Sequence, residues 1–480
     1  MKQVFEALAK HKRTRPDDIA FSDDQGDLTW AELSARVENL ASQLGQPCEV
    51  VAIGLAGGID YVVADLAASL AGKRQIPLPF FFSTAQNAHI LFDAKVDTVI
   101  TKDPDLFAQL PHLTLIDPAS RVPSETSIRD YSGGSQRVIY TSGSSGTPKG
   151  VVLGDRQIAA SIEALSRLVA ASPNDHHLSV LPLAQLLEQI CGVFLPIVAG
   201  ARTSFRFEAT KALFGAPIGP LVAAFEEVAP TTSLVAPALL ARWAGALKAH
   251  GSQAPSSLRF VAVGGASTAP ALIQEAQSAG IPVHEGYGLS ECCAVVAMNR
   301  PGDNYPGTVG PVLDGLDVRI VQGEIVVQGP TVMAGYLNAP DAPERWHTGD
   351  LGHFAGDRLV IDGRKDALLI TGAGRNVSPE WVEQRLNADP RVVSSALGLR
   401  KPDGALILIL VTTAIITPSE VERALADLPQ YARPAGLILT DPSEPDLLFP
   451  VRTPNRKVAA QVINSRTAIP LSFEPESMAS

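Results

Sequence analysis

The ten residues from Thr141 to Gly150, TSGSSGTPKG, carry the chemistry most readily read from this chain. Three glycines and five hydroxyl side chains surround a single ammonium, that of Lys149. Backbone N–H groups, hydroxyls and an ammonium are the groups that hold phosphate oxygens. Apolar runs on either side, Val138–Tyr140 before and Val151–Leu153 after, predict a strand entering the loop and argue against a free Gly/Ser linker. A Walker P-loop needs lysine directly after its second glycine and then Ser or Thr. Here Thr147 and Pro148 separate Gly146 from Lys149, and Gly150 follows, so this loop is of another kind.

Five further stretches hold groups suited to the same task. Gly264-Gly265-Ala266 ends an apolar run, and its missing side chains let a flat base approach the backbone. Gly286-Tyr287-Gly288-Leu289-Ser290-Glu291 places an aromatic ring four residues before a carboxylate. Trp346-His347-Thr348-Gly349-Asp350, Gly363-Arg364-Lys365-Asp366 and Arg452-Thr453-Pro454-Asn455-Arg456-Lys457 supply further charges. In this order, with the loop, they resemble the adenylate-forming superfamily, which includes acyl-CoA synthetases, adenylation domains of peptide synthetases and luciferases.

The resemblance implies a role for each position. Thr141, Ser142, Gly143, Ser144, Ser145, Gly146, Thr147 and Lys149 would hold the ATP phosphates that leave as pyrophosphate. Gly264, Gly265, Ala266, Gly286, Tyr287 and Gly288 would enclose adenine, and Ser290 would meet phosphate. Glu291 would hold Mg2+, a hard cation that takes one or two carboxylates together with phosphate oxygens. Asp350 would accept from both ribose hydroxyls, which the two oxygens of a carboxylate suit. Arg364 would reach ribose or phosphate, and Asp366 would be the hinge between domains. Gly374, Arg375 and Asn376 would line a tunnel for the incoming thiol. Lys457 would join the substrate carboxylate to the α-phosphate; with Glu291 and Thr141 it completes the expected catalytic set. Gln185 would be the gate of the acyl pocket. Three positions depart from the family: Gln185 where His or an aromatic is common, Asn376 where some relatives have Arg, and Arg456 where Gly is usual.

These residues need a frame, and the chain alternates strand and helix signals. Thr29-Trp30-Ala31-Glu32 is a capping box, with Leu33, Val37, Leu40, Ala41 and Leu44 at helical spacing behind it. Residues 50–55, 98–101 and 113–116 predict strands, and 61–70 and 156–170 predict helices. Residues 178–181 and 258–263 predict further strands, and 304–335 a run of short β-strands with turns. A helix begins at Pro379, strands follow at 392–397 and 405–411, and Thr417-Pro418 with Glu420 opens another helix. The expected architecture is α/β: a large N-terminal region over 1–363, with αβ layers and a small β subdomain, and a smaller mobile α+β domain over 364–480.

Composition sets the remaining bounds. At 480 residues, with 46% hydrophobic and 19% charged residues, the chain has the makings of a large core. A net charge of -11 disfavours a nucleic-acid partner. Cys48, Cys191, Cys292 and Cys293 lack metal-ligand spacing, and a reducing compartment fits. No apolar segment of signal-peptide or bilayer-spanning length occurs, so the expected location is cytoplasmic, with peripheral membrane contact allowed. The resemblance adds one more bound: amino-acid-activating members of the superfamily carry an Asp hereabouts that pairs with the substrate ammonium, whereas the segment 183–196, LAQLLEQICGVFLP, offers none and is strongly apolar, favouring an uncharged acyl group. With such an acyl group, the resemblance implies as the leading expectation activation of a medium- or long-chain fatty acid to acyl-AMP, then transfer to a pantetheine thiol, most simply that of CoA. The alternatives are loading of an acyl carrier protein's phosphopantetheine, an aromatic- or short-acid CoA ligase, and a non-catalytic nucleotide-binding relative.

Overall fold

The computed structural model describes residues 1–45, 48–119, 127–141, 148–339, 342–371, 375–401, 403–449 and 452–473. Two large sheets dominate the first two thirds. One runs edge to edge through Ala297–Met298, Val283–Tyr287, Phe260–Val263, Thr232–Val235, His176–Ser179, Arg202–Phe205, Ile19–Asp23 and Gly26–Thr29. Only the two edge strands are antiparallel to their neighbours. The other runs through Gly335–Tyr336, Lys149–Gly154, Gln136–Thr141, Arg74–Pro77, Val50–Gly54, Thr98–Thr101 and Thr114–Ile116. Its last five strands are parallel, and the first two join antiparallel.

The Gly58–Leu70 helix touches strands of both sheets and is buried from Tyr61 to Leu70. Almost every position in it is apolar, as a helix covered on all sides requires. Of its two carboxylates, Asp60 in the first turn pairs with Arg36 and Lys102, and the buried Asp65 is met by Arg137 at 2.5 Å, both of those side chains being 2% exposed. The Arg137 guanidinium also lies 4.8 Å from the Phe194 ring centroid. The expected capping box is present: Glu32 N donates to Thr29 Oγ1 (3.2 Å) and Thr29 N to Glu32 Oε2 (2.8 Å). The Trp30–Gln43 helix thereby starts where its apolar stripe, Leu33, Val37 and Leu40, can reach the core.

After Ser179 the chain passes through the gate segment into Leu186–Gln189, a π-helical turn Ile190–Phe194, and Leu195–Ala199. Pro196 has no N–H for the Gly192 carbonyl four residues earlier, and Thr203 Oγ1 donates to that carbonyl instead (2.8 Å).

Asp317–Val321, Glu324–Gln328, Arg345–Ala355 and Arg358–Arg364 form a small antiparallel sheet; its first two strands fall in the expected stretch 304–335, and the two longer ones lie beyond it. Its core residues Ile325, Val327 and Leu359 pack with Cys292 and Val296, which ties the sheet to the turn bearing Glu291.

The last third builds a four-stranded sheet of Val392–Leu399, Leu406–Thr412, Gly436–Thr440 and Ile469–Pro470. Along Leu406–Thr412, Leu406, Leu408 and Leu410 join one core with Val382, Leu386 and Val421. Ile407, Ile409 and Val411 join another with Ala459, Val462 and Ile463. Helices therefore cover both faces, which is why ALILILV reads as an unbroken apolar run. Among the described residues no helix is long and apolar enough to cross a membrane. The four cysteines are free.

Candidate active site

The parallel strands of both sheets end where the sequence motifs begin, the usual place for a ligand in open α/β sheets. Strand Gln136–Thr141 hands the chain to residues 142–147, and Lys149–Gly154 returns it antiparallel with Thr141 opposite Lys149. Ser142, Gly143, Ser144, Ser145, Gly146 and Thr147 lie outside the described residues. Gly150 has no room for a side chain: a Cβ there would sit 2.6 Å from Val138 Cγ1 and 3.2 Å from Leu337 Cβ.

In the other sheet, Phe260–Val263 and Val283–Tyr287 are parallel neighbours, and Gly264 and Gly286 follow one another across them. A Cβ on Gly264 would lie 3.1 Å from the Gly286 carbonyl oxygen, so a side chain there would press the two strand ends apart by a few tenths of an ångström. Gly265 and Ala266 continue as an exposed turn. Beneath it Glu285, 5% exposed, accepts from Thr268 N at 3.0 Å. Burial pushes the Glu285 carboxyl up to about 7 against the opposing effect of that bond. Gly288 packs against the Ala294 backbone, and Ser290 opens the Ser290–Cys292 turn.

Tyr287 leaves this strand end to donate its hydroxyl to Asp350 Oδ2 at 2.6 Å. Asp350 and Arg364 are partners across the Arg345–Ala355 and Arg358–Arg364 strands, and Arg364 Nη1 meets Asp350 Oδ1 at 3.0 Å. Arg364 Nε in turn meets Asp366 Oδ1 at 3.1 Å. Burial raises the Asp350 carboxyl above its ordinary value, although the tyrosine hydroxyl and guanidinium favour its ionised form. Burial works against the Arg364 charge, but Asp366 and Asp350 together hold its pKa above the ordinary value. Gly349 has φ +73, and a Cβ there would crowd Arg364 Nη2 at 3.2 Å, which accounts for Gly in the Thr-Gly-Asp run.

Glu291 lies on the side of Tyr336 and Lys149. Its Oε1 accepts from the Tyr336 hydroxyl at 2.8 Å, and its carbonyl accepts from Met333 N at 2.8 Å. The Lys149 ammonium stands 5.8 Å from the Tyr336 ring centroid. Among the described residues no group of three or more His, Cys, Asp or Glu side chains could hold a metal. Glu291 would be the single carboxylate on a cation otherwise held by phosphate oxygens and water, a donor set that suits Mg2+.

The structure thus brings together Thr141, Lys149, Gly264, Gly286, Tyr287, Glu291, Asp350, Arg364 and Asp366. Lys457 is not among them. It is exposed on the first turn of Arg456–Ser465, beside a cleft of Asp446, Leu448, Phe449 and Gln461. No hydrogen bond or ion pair joins it to Glu291 or Asp350. Arg375 faces the Tyr431 ring at 5.9 Å, Asn376 is exposed in the Asn376–Val377 strand, and Gly374 lies outside the described residues. Gln185 is the half-buried N-cap of Leu186–Gln189. Instead Gln189 makes the local bonds, donating to Leu183 O (2.7 Å) and Tyr61 Oη (3.1 Å). Arg456, where glycine is expected, forks onto Glu383 Oε2 (2.8 Å) and Glu380 Oε1 (3.2 Å) and so clamps the lysine-bearing helix to Pro379–Asn387.

Sequence reasoning missed Tyr336, Glu285 and Glu188. The first had a signal in the Gly335-Tyr336 pair that closes the β-rich stretch; a lone buried carboxyl gives none. Glu188 is fully buried in the segment read as strongly apolar, with Oε1 3.6 Å from His177 Nε2. A cavity of about 740 Å³ opens beside that segment, walled by Leu78, Phe80, Phe82, Leu181, Leu183 and Phe207.

Comparison with known proteins gives one family match, to the AMP-binding enzymes, over residues 8–337. The oxalate–CoA ligase of Arabidopsis thaliana is 27% identical over 428 residues, covering 78% of this chain and 81% of that protein. The indoleacetate–CoA ligase of Aromatoleum aromaticum is 27% identical over 444 residues, covering 82% and 84%. The 2-succinylbenzoate–CoA ligase of Bacillus licheniformis is 25% identical over 425 residues, covering 81% and 85%. Among solved structures, the O-succinylbenzoate coenzyme A synthetase of Bacillus subtilis with AMP superposes with a TM-score of 0.80 at 22% identity, over 97% of this chain and 99% of that one. An anthranilate CoA ligase with anthranoyl-AMP gives 0.84 at 20% identity, over 97% of each chain. At such identities the structural likeness speaks for the fold, large N-terminal region and smaller C-terminal domain alike.

Proposed function

The chain belongs to the family of AMP-binding enzymes, and from that premise we propose that it joins a carboxylic acid to coenzyme A, converting ATP to AMP and pyrophosphate. One observation carries the reading: two carboxylates, Asp350 and Glu291, are each held by a tyrosine hydroxyl where the strands of both sheets end. Asp350 keeps two oxygens fixed by Tyr287 and Arg364, a geometry suited to exchanging those bonds for ribose hydroxyls. Glu291 presents its carboxylate on the side of Lys149 and the loop after Thr141. A bound Mg2+ would neutralise phosphate charge there.

In the first half-reaction a carboxylate oxygen attacks the α-phosphorus, forming acyl-AMP while pyrophosphate leaves. Thr141, Lys149 and the loop between them hold the departing phosphates, and Lys457 brings the carboxylate and α-phosphate together. Loss of that contact is worth ~3–4 kcal/mol of transition-state stabilisation. In the second, a thiol attacks the acyl carbon and AMP leaves. Residues 1–363 hold nucleotide and acid; residues 364–480 turn about Asp366 to present Lys457 first and the 374–376 loop afterwards. The separation of Lys457 from Asp350 and Glu291 agrees with a domain that must move between the two steps.

For the acid, we favour a short or aromatic carboxylate over a medium- or long-chain fatty acid. The relatives named above act on oxalate, indoleacetate and 2-succinylbenzoate, and all three are CoA ligases, which favours CoA over a carrier protein as acceptor. A panel of short, aromatic and long-chain acids in a pyrophosphate-release assay, with and without CoA, tests this. Turnover with short or aromatic acids that consumes CoA is expected; turnover confined to fatty acids, or to carrier protein, would overturn the assignment.

A further inference from the structure

We propose that Tyr336 is a positioning residue that aims the Glu291 carboxylate at the phosphate-bound cation and couples it to Lys149. The inference rests on the reading of Glu291 as the Mg2+ ligand and extends it to a side chain with no role so far. Three contacts converge on Tyr336. Its hydroxyl donates to Glu291 Oε1 at 2.8 Å; among the described residues the other oxygen of Glu291 has no hydrogen-bond partner. Its ring receives the Lys149 ammonium at 5.8 Å, within the reach of a cation–π contact. The ring also meets Trp346 edge-on at 5.8 Å, on the strand that continues to Asp350.

The backbone fixes the side chain in place. Tyr336 pairs antiparallel with Val151, and Leu337 N donates to Gly150 O at 2.7 Å. Gly335–Tyr336 is therefore an added strand on the hairpin that carries the phosphate loop, and it reaches from there to the turn bearing Glu291. A carboxylate with one oxygen held by a fixed donor has lost a rotation, so its free oxygen is pre-aimed before the cation arrives. The same side chain sets the Lys149 ammonium, so the cation's ligand and the loop's own positive charge keep a constant separation across the phosphates.

The two contacts can be removed separately. Tyr336→Phe deletes the hydroxyl and keeps the ring against Lys149 and Trp346; Tyr336→Leu removes both. Calorimetric ATP titrations across a Mg2+ series, and again in EDTA, are the readout, with acid-dependent ATP–pyrophosphate exchange beside them. Tyr336→Phe is expected to raise the Mg2+ concentration for half-maximal ATP binding by about tenfold, the cost of one hydrogen bond to a charged group. ATP affinity in EDTA and KM for the acid should stay at the wild-type values, which a generally disturbed fold would not allow. Tyr336→Leu should also weaken ATP binding in EDTA, and Tyr336→Phe added to Glu291→Gln should cause no further change. A shift in Mg2+ dependence for Glu291→Gln but none for Tyr336→Phe would overturn this inference alone. Wild-type Mg2+ dependence in Glu291→Gln would overturn the metal reading of Glu291, and the inference with it.

Discussion

Replacing Glu285 by glutamine should change how the protein's stability depends on pH. Glu285 is 5% exposed on the strand that ends in Tyr287, and its carboxyl is pushed up to about 7 by burial. An unfolded chain protonates the same group near its ordinary value of 4.5. Between those two values the native state holds a proton that the unfolded state has lost, so stability falls as pH rises through the window. A rise from 4.5 to about 7 corresponds to a loss of about 3 kcal/mol, complete above the folded value. Neighbouring His284, pushed down to about 4 by burial, is neutral in the native state across this range but takes up a proton on unfolding below its ordinary 6.5; wild type and variant share that contribution, so it cancels in their difference. Glutamine can still accept from Thr268 N but never ionises. Urea denaturation of wild type and Glu285→Gln between pH 5 and 8 gives the quantity needed, the wild-type stability minus that of the variant. This difference should fall by about 2–3 kcal/mol over the range. A flat difference, or one that rises with pH, would refute the reasoning.

Two other substitutions probe separate parts of the account. Lys457→Ala should slow acid-dependent ATP–pyrophosphate exchange about a hundred- to thousandfold, while thioester formation from added acyl-AMP stays near wild type in single-turnover assays. Arg137→Met should cost about 3–5 kcal/mol in denaturant unfolding by stranding the buried Asp65, and Asp65→Leu added to it should recover most of that loss.

Much of the frame was legible because its signals are local. Thr29 and Thr417 cap helices with the Glu three residues on, and both capping boxes are formed. The strand and helix that open at Val50 and Pro379 begin where their patterns begin. The geometry of the site was legible only in part, because it depends on pairings between distant segments. Nothing near Tyr336 in sequence announces that its hydroxyl meets Glu291, 45 residues earlier. The π-turn at Ile190–Phe194 depends on Thr203 supplying the donor that Pro196 lacks, a contact no periodicity encodes. Arg456 could be read only as a departure from Gly until Glu380 and Glu383 stood opposite its guanidinium.

The central claim is that a carboxylate oxygen becomes bonded to the α-phosphorus of ATP. Turnover with an acid labelled with ¹⁸O in its carboxylate, in the presence of ATP, Mg2+ and CoA, tests it directly, with the nucleotide products read by mass spectrometry. Attack on the α-phosphorus followed by thiol attack on the acyl carbon leaves one labelled oxygen in AMP and none in pyrophosphate. Label appearing in inorganic phosphate, with ADP as the nucleotide product, or unlabelled AMP accompanying acyl-CoA, would contradict the account.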